Sequence, residues 1–377
     1  MEKLFEDKIR TDMSPAAHQE GNWEFLQRCG SEAAESRRQI LNSWFSLYPE
    51  LEKQELRKRF ETSFDTALYE LFIFTLFHKQ GFDLQVHPEI PGSLRTPDFL
   101  ATKNDVQFYI EATVASELTQ QQKGIELKTN AIWDALDKAY SPNFFLCIVD
   151  HLFKSNNQPS GKKVAKFFEQ ELAKYTVEQV TDNLKADYED RIRIRYEDDD
   201  FVLVASMMPK SPNAIGKGDI RTIGMYASEP YFGPEETIKY SILRKARHYG
   251  ELDKPLLVCV NTGLSLGLTE HTVFDILFGN LASTWSTDPG NRDERWERLW
   301  TGVLGNPRNP KVKRATGILI TGVNLGTVVN PKHWLFKHPF ATNPLDFEMF
   351  SLTHHHVDTN RIQSVAKKAV NEILFPA

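Results

Sequence analysis

The chain has 377 residues, 41% of them hydrophobic and 25% charged, with a formal net charge of −6. That balance excludes a disordered polymer, and the acidic sum excludes a uniformly basic nucleic-acid coat while leaving room for a local positive cleft. Three scattered cysteines, Cys29, Cys147 and Cys259, exclude a disulfide framework or a zinc cage and fit a reducing cytoplasm. The N-terminus lacks the apolar core of a secretory signal, and no run approaches the ~18 apolar residues of a membrane span.

Residues 1–60 read as a polar helical extension, with Trp23, Phe25, Trp44, Phe45 and Leu51 as scattered anchors and no evident chemistry. From Thr62 to Gln80 the apolar positions 64, 67, 68, 71, 72 and 76 follow the helical period, and Gly81 closes the helix. Short strands are expected at 84–87 and 98–102, separated by the loop HPEIPGSLRTP. The turn KND then leads into a strand over 106–115, which makes a hairpin. A helix over 121–140 and the apolar run NFFLCIVD at 143–150 follow; the run suits a strand buried on both faces.

Beyond 150 the pattern predicts a helix at 162–175, strands at 191–196, 201–207 and 221–226, and a helix at 235–249. Strands at 255–260 and 316–322 flank a long polar stretch, and a last helix is expected over 359–374. The run His354-His355-His356 reads as a surface loop, because adjacent histidines on an extended segment point opposite ways. No repeat or low-complexity linker appears. The economical reading is an α/β domain over 61–377, with its core at 62–150 and its extension at 151–377, preceded by the N-terminal helices.

Three carboxylates occur where carboxylates are costly. Glu70 lies in ALYELFIFTLF, a stretch apolar nearly all round and therefore expected to be buried. An unpaired buried carboxylate calls for a cation or a hydrogen-bond network. Asp98 follows Pro97 at the head of a strand. Glu111 shares one face of the third strand with Gln107, Tyr109 and Thr113. Hairpin pairing can bring Asp98 and Glu111 together at one end of the sheet, and such oxygen-rich pairs suit Mg²⁺ or Mn²⁺.

These residues resemble the PD-(D/E)XK nuclease superfamily, which has the restriction-endonuclease-like fold. The resemblance rests on the helix holding Glu70, the turn RTPDF holding Asp98 and the strand IEAT holding Glu111, thirteen residues on. It covers about a quarter of the chain. It implies a core of helix, three-strand meander, helix and strand, and a metal-dependent endonuclease acting on DNA, with RNA as second choice. Asp98 and Glu111 would be the metal ligands, and Glu70 an accessory acid orienting a water or binding a second ion. The pattern also calls for a lysine two residues after the second acid, where this chain has Thr113. Lys128 and Lys245 are the substitute candidates. Lys245 and Tyr249 lie four residues apart on one helix face, similar to a Gln-x-x-x-Tyr element of some such nucleases. The basic cluster RKARH at 244–248 could meet a phosphate backbone, whereas RNPKVKR at 308–314 reads as solvated surface. The alternative is an inactive nuclease-fold module that binds nucleic acid or a protein partner.

Overall fold

The computed structural model describes every residue except 1, 94, 116–119, 188–189, 219, 227–234, 264–267, 287–289, 291–294, 359–360 and 377. Two compact units emerge. The first comprises Met1–Ser14, Gly21–Glu117 and Phe232–Ala377; the second comprises Pro15–Glu20 and Leu118–Tyr231.

The first unit begins with helices α1 (Asn22–Arg28), α2 (Glu32–Leu47), α3 (Lys53–Thr62) and α4 (Phe64–His78). A meander follows: β1 (Asp83–Val86), β2 (Phe99–Lys103) and β3 (Val106–Val114), paired antiparallel in that order. Asn104 and Asp105 join β2 to β3 with φ of 48° and 64°. Both are left-handed, the conformation that a two-residue hairpin loop requires and that Asn and Asp tolerate best.

The chain then passes through the second unit: α5 (Gln120–Leu136), β4 (Phe144–Phe153), α6 (Gly161–Leu172), α7 (Val177–Asn183), β5 (Arg193–Glu197), β6 (Phe201–Pro209) and β7 (Ile223–Tyr226). Its four strands form a separate sheet in the order β5-β6-β4-β7. Trp133, Phe144, Leu146, Phe168, Phe201 and Leu203 belong to its own apolar core.

Back in the first unit come α8 (Glu235–His248), β8 (Leu256–Asn261), α9 (Glu270–Phe278), β9 (Leu281–Thr284) and β10 (Arg295–Arg298). The remaining elements are β11 (Gly305–Asn306), β12 (Asn309–Pro310), β13 (Ala315–Thr321), β14 (His333–Lys337), β15 (His354–Asp358), β16 (Arg361–Val365) and α10 (Val370–Leu374). Eight strands form one mixed sheet in the order β1-β2-β3-β8-β13-β14-β15-β16. β3, β8 and β13 run parallel at its centre. Every residue of β8 and β13 is buried, as continuous apolar strands covered on both faces must be.

Helices cover both faces. On one, Phe108, Ile110, Leu257, Cys259 and Leu319 share a core with α4 and with Trp44, Phe45 and Phe60 of the preceding helices. On the other, Tyr109, Val258, Val260 and Ile320 share a core with Ile238, Ile242 and Ala246 of α8 and Ile276 of α9. All residues from Ala67 to Phe77 are buried, because α4 packs against β3 on one side and α2 and α3 on the other. Its all-round apolar sequence follows from that position. Among the described residues no helix is long and apolar enough to cross a membrane.

Four expectations need correction. β4 belongs to a different sheet from β3; the parallel neighbour of β3 is β8. The expected core over 62–150 is therefore divided, with the helix and strand after β3 in the second unit. An apolar run reports burial on two faces but not the sheet that supplies the burial. Second, the segment 1–60 is no appendage, because its helices share the core of α4; Leu51, expected to anchor it, is 95% exposed. Third, Arg361–Val365 is a strand and the last helix spans only Val370–Leu374, while residues 359–360 lie outside the described set. Finally, the three histidines are not a loop. They sit in β15, where five register pairs with β16 order the segment and bury His354 and His355.

Candidate functional site

Asp98 sits one residue before β2. Its carbonyl accepts the His87 N–H at 3.0 Å, carrying the β1–β2 pairing one step further. Its Oδ2 accepts the Ala112 N–H at 2.6 Å. Phe99 pairs with Ile110, so the register carries Asp98 opposite Glu111 on the neighbouring strand. Pro97, buried and without an N–H to satisfy, stiffens the approach.

Glu111 is 3% exposed. The face of β3 that alternation leaves half-wet is covered by α8, and Tyr109 and Thr113 are buried with it. Two side chains of α8, four residues apart, reach the carboxylate. The Lys245 ammonium forms an ion pair with Oε1. The Tyr249 hydroxyl donates to Oε2, and its oxygen also lies 3.1 Å from the Thr96 carbonyl oxygen. The structure thus brings together Asp98, Glu111, Lys245 and Tyr249 from three elements.

Burial, then the Glu111 carboxylate, then that of Glu70 push the Asp98 carboxyl up to about 8; the Ala112 N–H and the Lys245 ammonium act the other way. The Tyr249 phenol is raised far above its ordinary value by burial and by Glu111, so it stays a proton donor. Burial and the neighbouring Arg95 guanidinium lower His248. Arg95, from the loop before Asp98, bonds the His248 carbonyl at the end of α8, where a cation suits the helix dipole.

Glu70 has its own partners. It is 3% exposed. Its Oε1 accepts from the Tyr48 hydroxyl at 2.6 Å and from Arg59 Nη2 at 2.8 Å, and its Oε2 pairs with Arg59 Nη1. The fork of the guanidinium matches the carboxylate two-to-two. Arg59 and Tyr48 come from the segment read as lacking chemistry. A buried glutamate demanded a cation, but Arg57, Lys58 and Arg59 stood equally ready in the sequence, and nothing there selects the third.

Thr113 pairs with Val260 of β8, so the family position for a lysine is filled inside the sheet. Lys128 belongs to the second unit and donates to the Asn156 carbonyl there. Of the two lysine candidates, Lys245 is the one bonded to the acid pair. Among the described residues no group of three or more His, Cys, Asp and Glu side chains is arranged to hold a metal; Asp98 and Glu111 offer two carboxylates. The chain matches no family model, no curated protein and no solved structure.

Proposed function

We propose that the chain is a divalent-metal-dependent phosphodiesterase acting on DNA, with RNA as second choice. Asp98 and Glu111 are the ligands for Mg²⁺ or Mn²⁺, and Lys245 is the cation that meets the phosphate. One observation carries the reading: an acid pair on adjacent strands has a lysine and a tyrosine delivered to it by one helix. The order α4, β1–β3, α8, β8 supports the restriction-endonuclease-like arrangement, with α8 and β8 in the roles first given to α5 and β4.

The donor set suits such an ion. Carboxylate oxygens are the hard ligands that Mg²⁺ and Mn²⁺ prefer. Burial and then the neighbouring Glu111 carboxylate raise Asp98, and a dication would offset both penalties. When bound, the ion would acidify a water and neutralise charge gathering on the phosphate. The chain supplies the rest. Tyr249 fixes the orientation of Glu111 by donating to Oε2. Lys245 brings the positive charge that Thr113 cannot, from α8 instead of β3. Arg59 and Tyr48 hold the Glu70 carboxylate in place.

Purified protein is expected to cut plasmid DNA with Mg²⁺ or Mn²⁺ and to stop on chelation. Asp98→Ala is expected to lower the rate by at least about a hundredfold, the scale of losing one charge-stabilising element. Cleavage that survives Asp98→Ala removes the assignment. DNA binding without cleavage by the wild-type chain selects the inactive binding module instead.

A further inference from the structure

Both oxygens of Glu111 are engaged by side chains of α8, Oε1 by the Lys245 ammonium and Oε2 by the Tyr249 hydroxyl. Glu70 is likewise taken, by Arg59 and Tyr48. An ion that enters the acid pair must therefore share an oxygen with a donor or displace it. The two cations differ in how readily they yield. Arg59 grips Glu70 with two parallel bonds, and that carboxylate is buried among helices. Lys245 makes a single bond to Glu111, on a flexible four-carbon stem, and its side chain remains 21% exposed. Tyr249 carries no charge, so its hydroxyl can stay beside a bound cation, whereas an ammonium and a dication repel at one oxygen.

We propose that Lys245 is a resident counter-ion: it holds Glu111 in the metal-free chain, a single divalent cation takes its place, and the released ammonium turns toward an anionic phosphate. This rests on the metal reading above. The exchange swaps one cation for another at Glu111 and makes or breaks no covalent bond. Glu70, clamped by Arg59, takes no second ion. Because lysine and metal compete for one carboxylate, each weakens the other by the same factor.

The test uses Mn²⁺ alone, titrated by calorimetry into the wild-type chain and into Lys245→Met. Removing the competitor is expected to tighten Mn²⁺ binding by about tenfold or more, with one ion per chain. Equal or weaker binding in the variant overturns the displacement, as does a stoichiometry of two. A second measurement covers the case in which the variant fails to fold. In the wild-type chain, acylation of Lys245 by an amine reagent, followed by mass spectrometry, is expected to speed up severalfold when Mn²⁺ is added. Unchanged or slower labelling, with Mn²⁺ shown to bind, overturns the displacement alone. Failure of the wild-type chain to bind Mn²⁺ overturns both the displacement and the metal reading.

Discussion

Asp98 costs the metal-free fold stability. The unfolded chain releases this proton near pH 4, while burial and the two neighbouring carboxylates hold it in the folded chain up to about 8. Over that window the folded state binds more protons than the unfolded one, so stability falls as pH rises. Asp98→Asn is expected to raise metal-free stability at pH 8 by about 1–3 kcal/mol and to flatten the pH dependence; the asparagine oxygen can still accept the Ala112 N–H. Urea midpoints at pH 5 and pH 8 measure it, and a variant less stable than wild type at pH 8 contradicts it. Much of this site was legible in the sequence. Glu70 stood out because a carboxylate in an apolar helix needs a partner, and Lys245 with Tyr249 because residues four apart share a helix face. Arg59 and Tyr48 were not legible, since their link to Glu70 depends on how α3 turns back onto α4 at Ser63, which no local spacing records.

At the scale of elements, α4 is held between a sheet and two helices, and an ion pair ties Arg59 of α3 to its buried Glu70. Arg59→Met would leave Glu70 buried with its charge uncompensated, and breaking a buried pair in this way costs about 3–5 kcal/mol. The variant is therefore expected to unfold at a clearly lower urea concentration, followed by circular dichroism, and Arg59→Met with Glu70→Leu to recover much of the loss. A single variant within about 0.5 kcal/mol of wild type, the range of an ordinary surface change, contradicts the clamp. Elements with a clear apolar pattern, periodic in α4 and β3 and continuous in β13, followed from their residues alone. The segment Arg361–Val365 did not, because its strand character comes from pairing with β15 and from no pattern of its own.

For the whole molecule, chain order was the misleading guide. The helix and strand that follow β3 in sequence fit the expected core by pattern, yet they build a separate sheet, and the elements that complete the site arrive more than a hundred residues later. Two apolar strands, Phe144–Phe153 and Leu256–Asn261, could each fill the place beside β3 on composition; register with Tyr109–Val114 belongs to the second. A long connection between paired strands is tolerated because closure entropy grows only slowly with length, so the sequence carries no penalty that would mark the insertion. The proposed activity depends on Asp98 and Glu111 acting as one cation site. Calorimetric titration of Mn²⁺ into the intact chain, Asp98→Asn and Glu111→Gln tests this most directly. The expected result is one binding event in the wild-type chain, lost in both variants; wild-type affinity retained in either variant would contradict it.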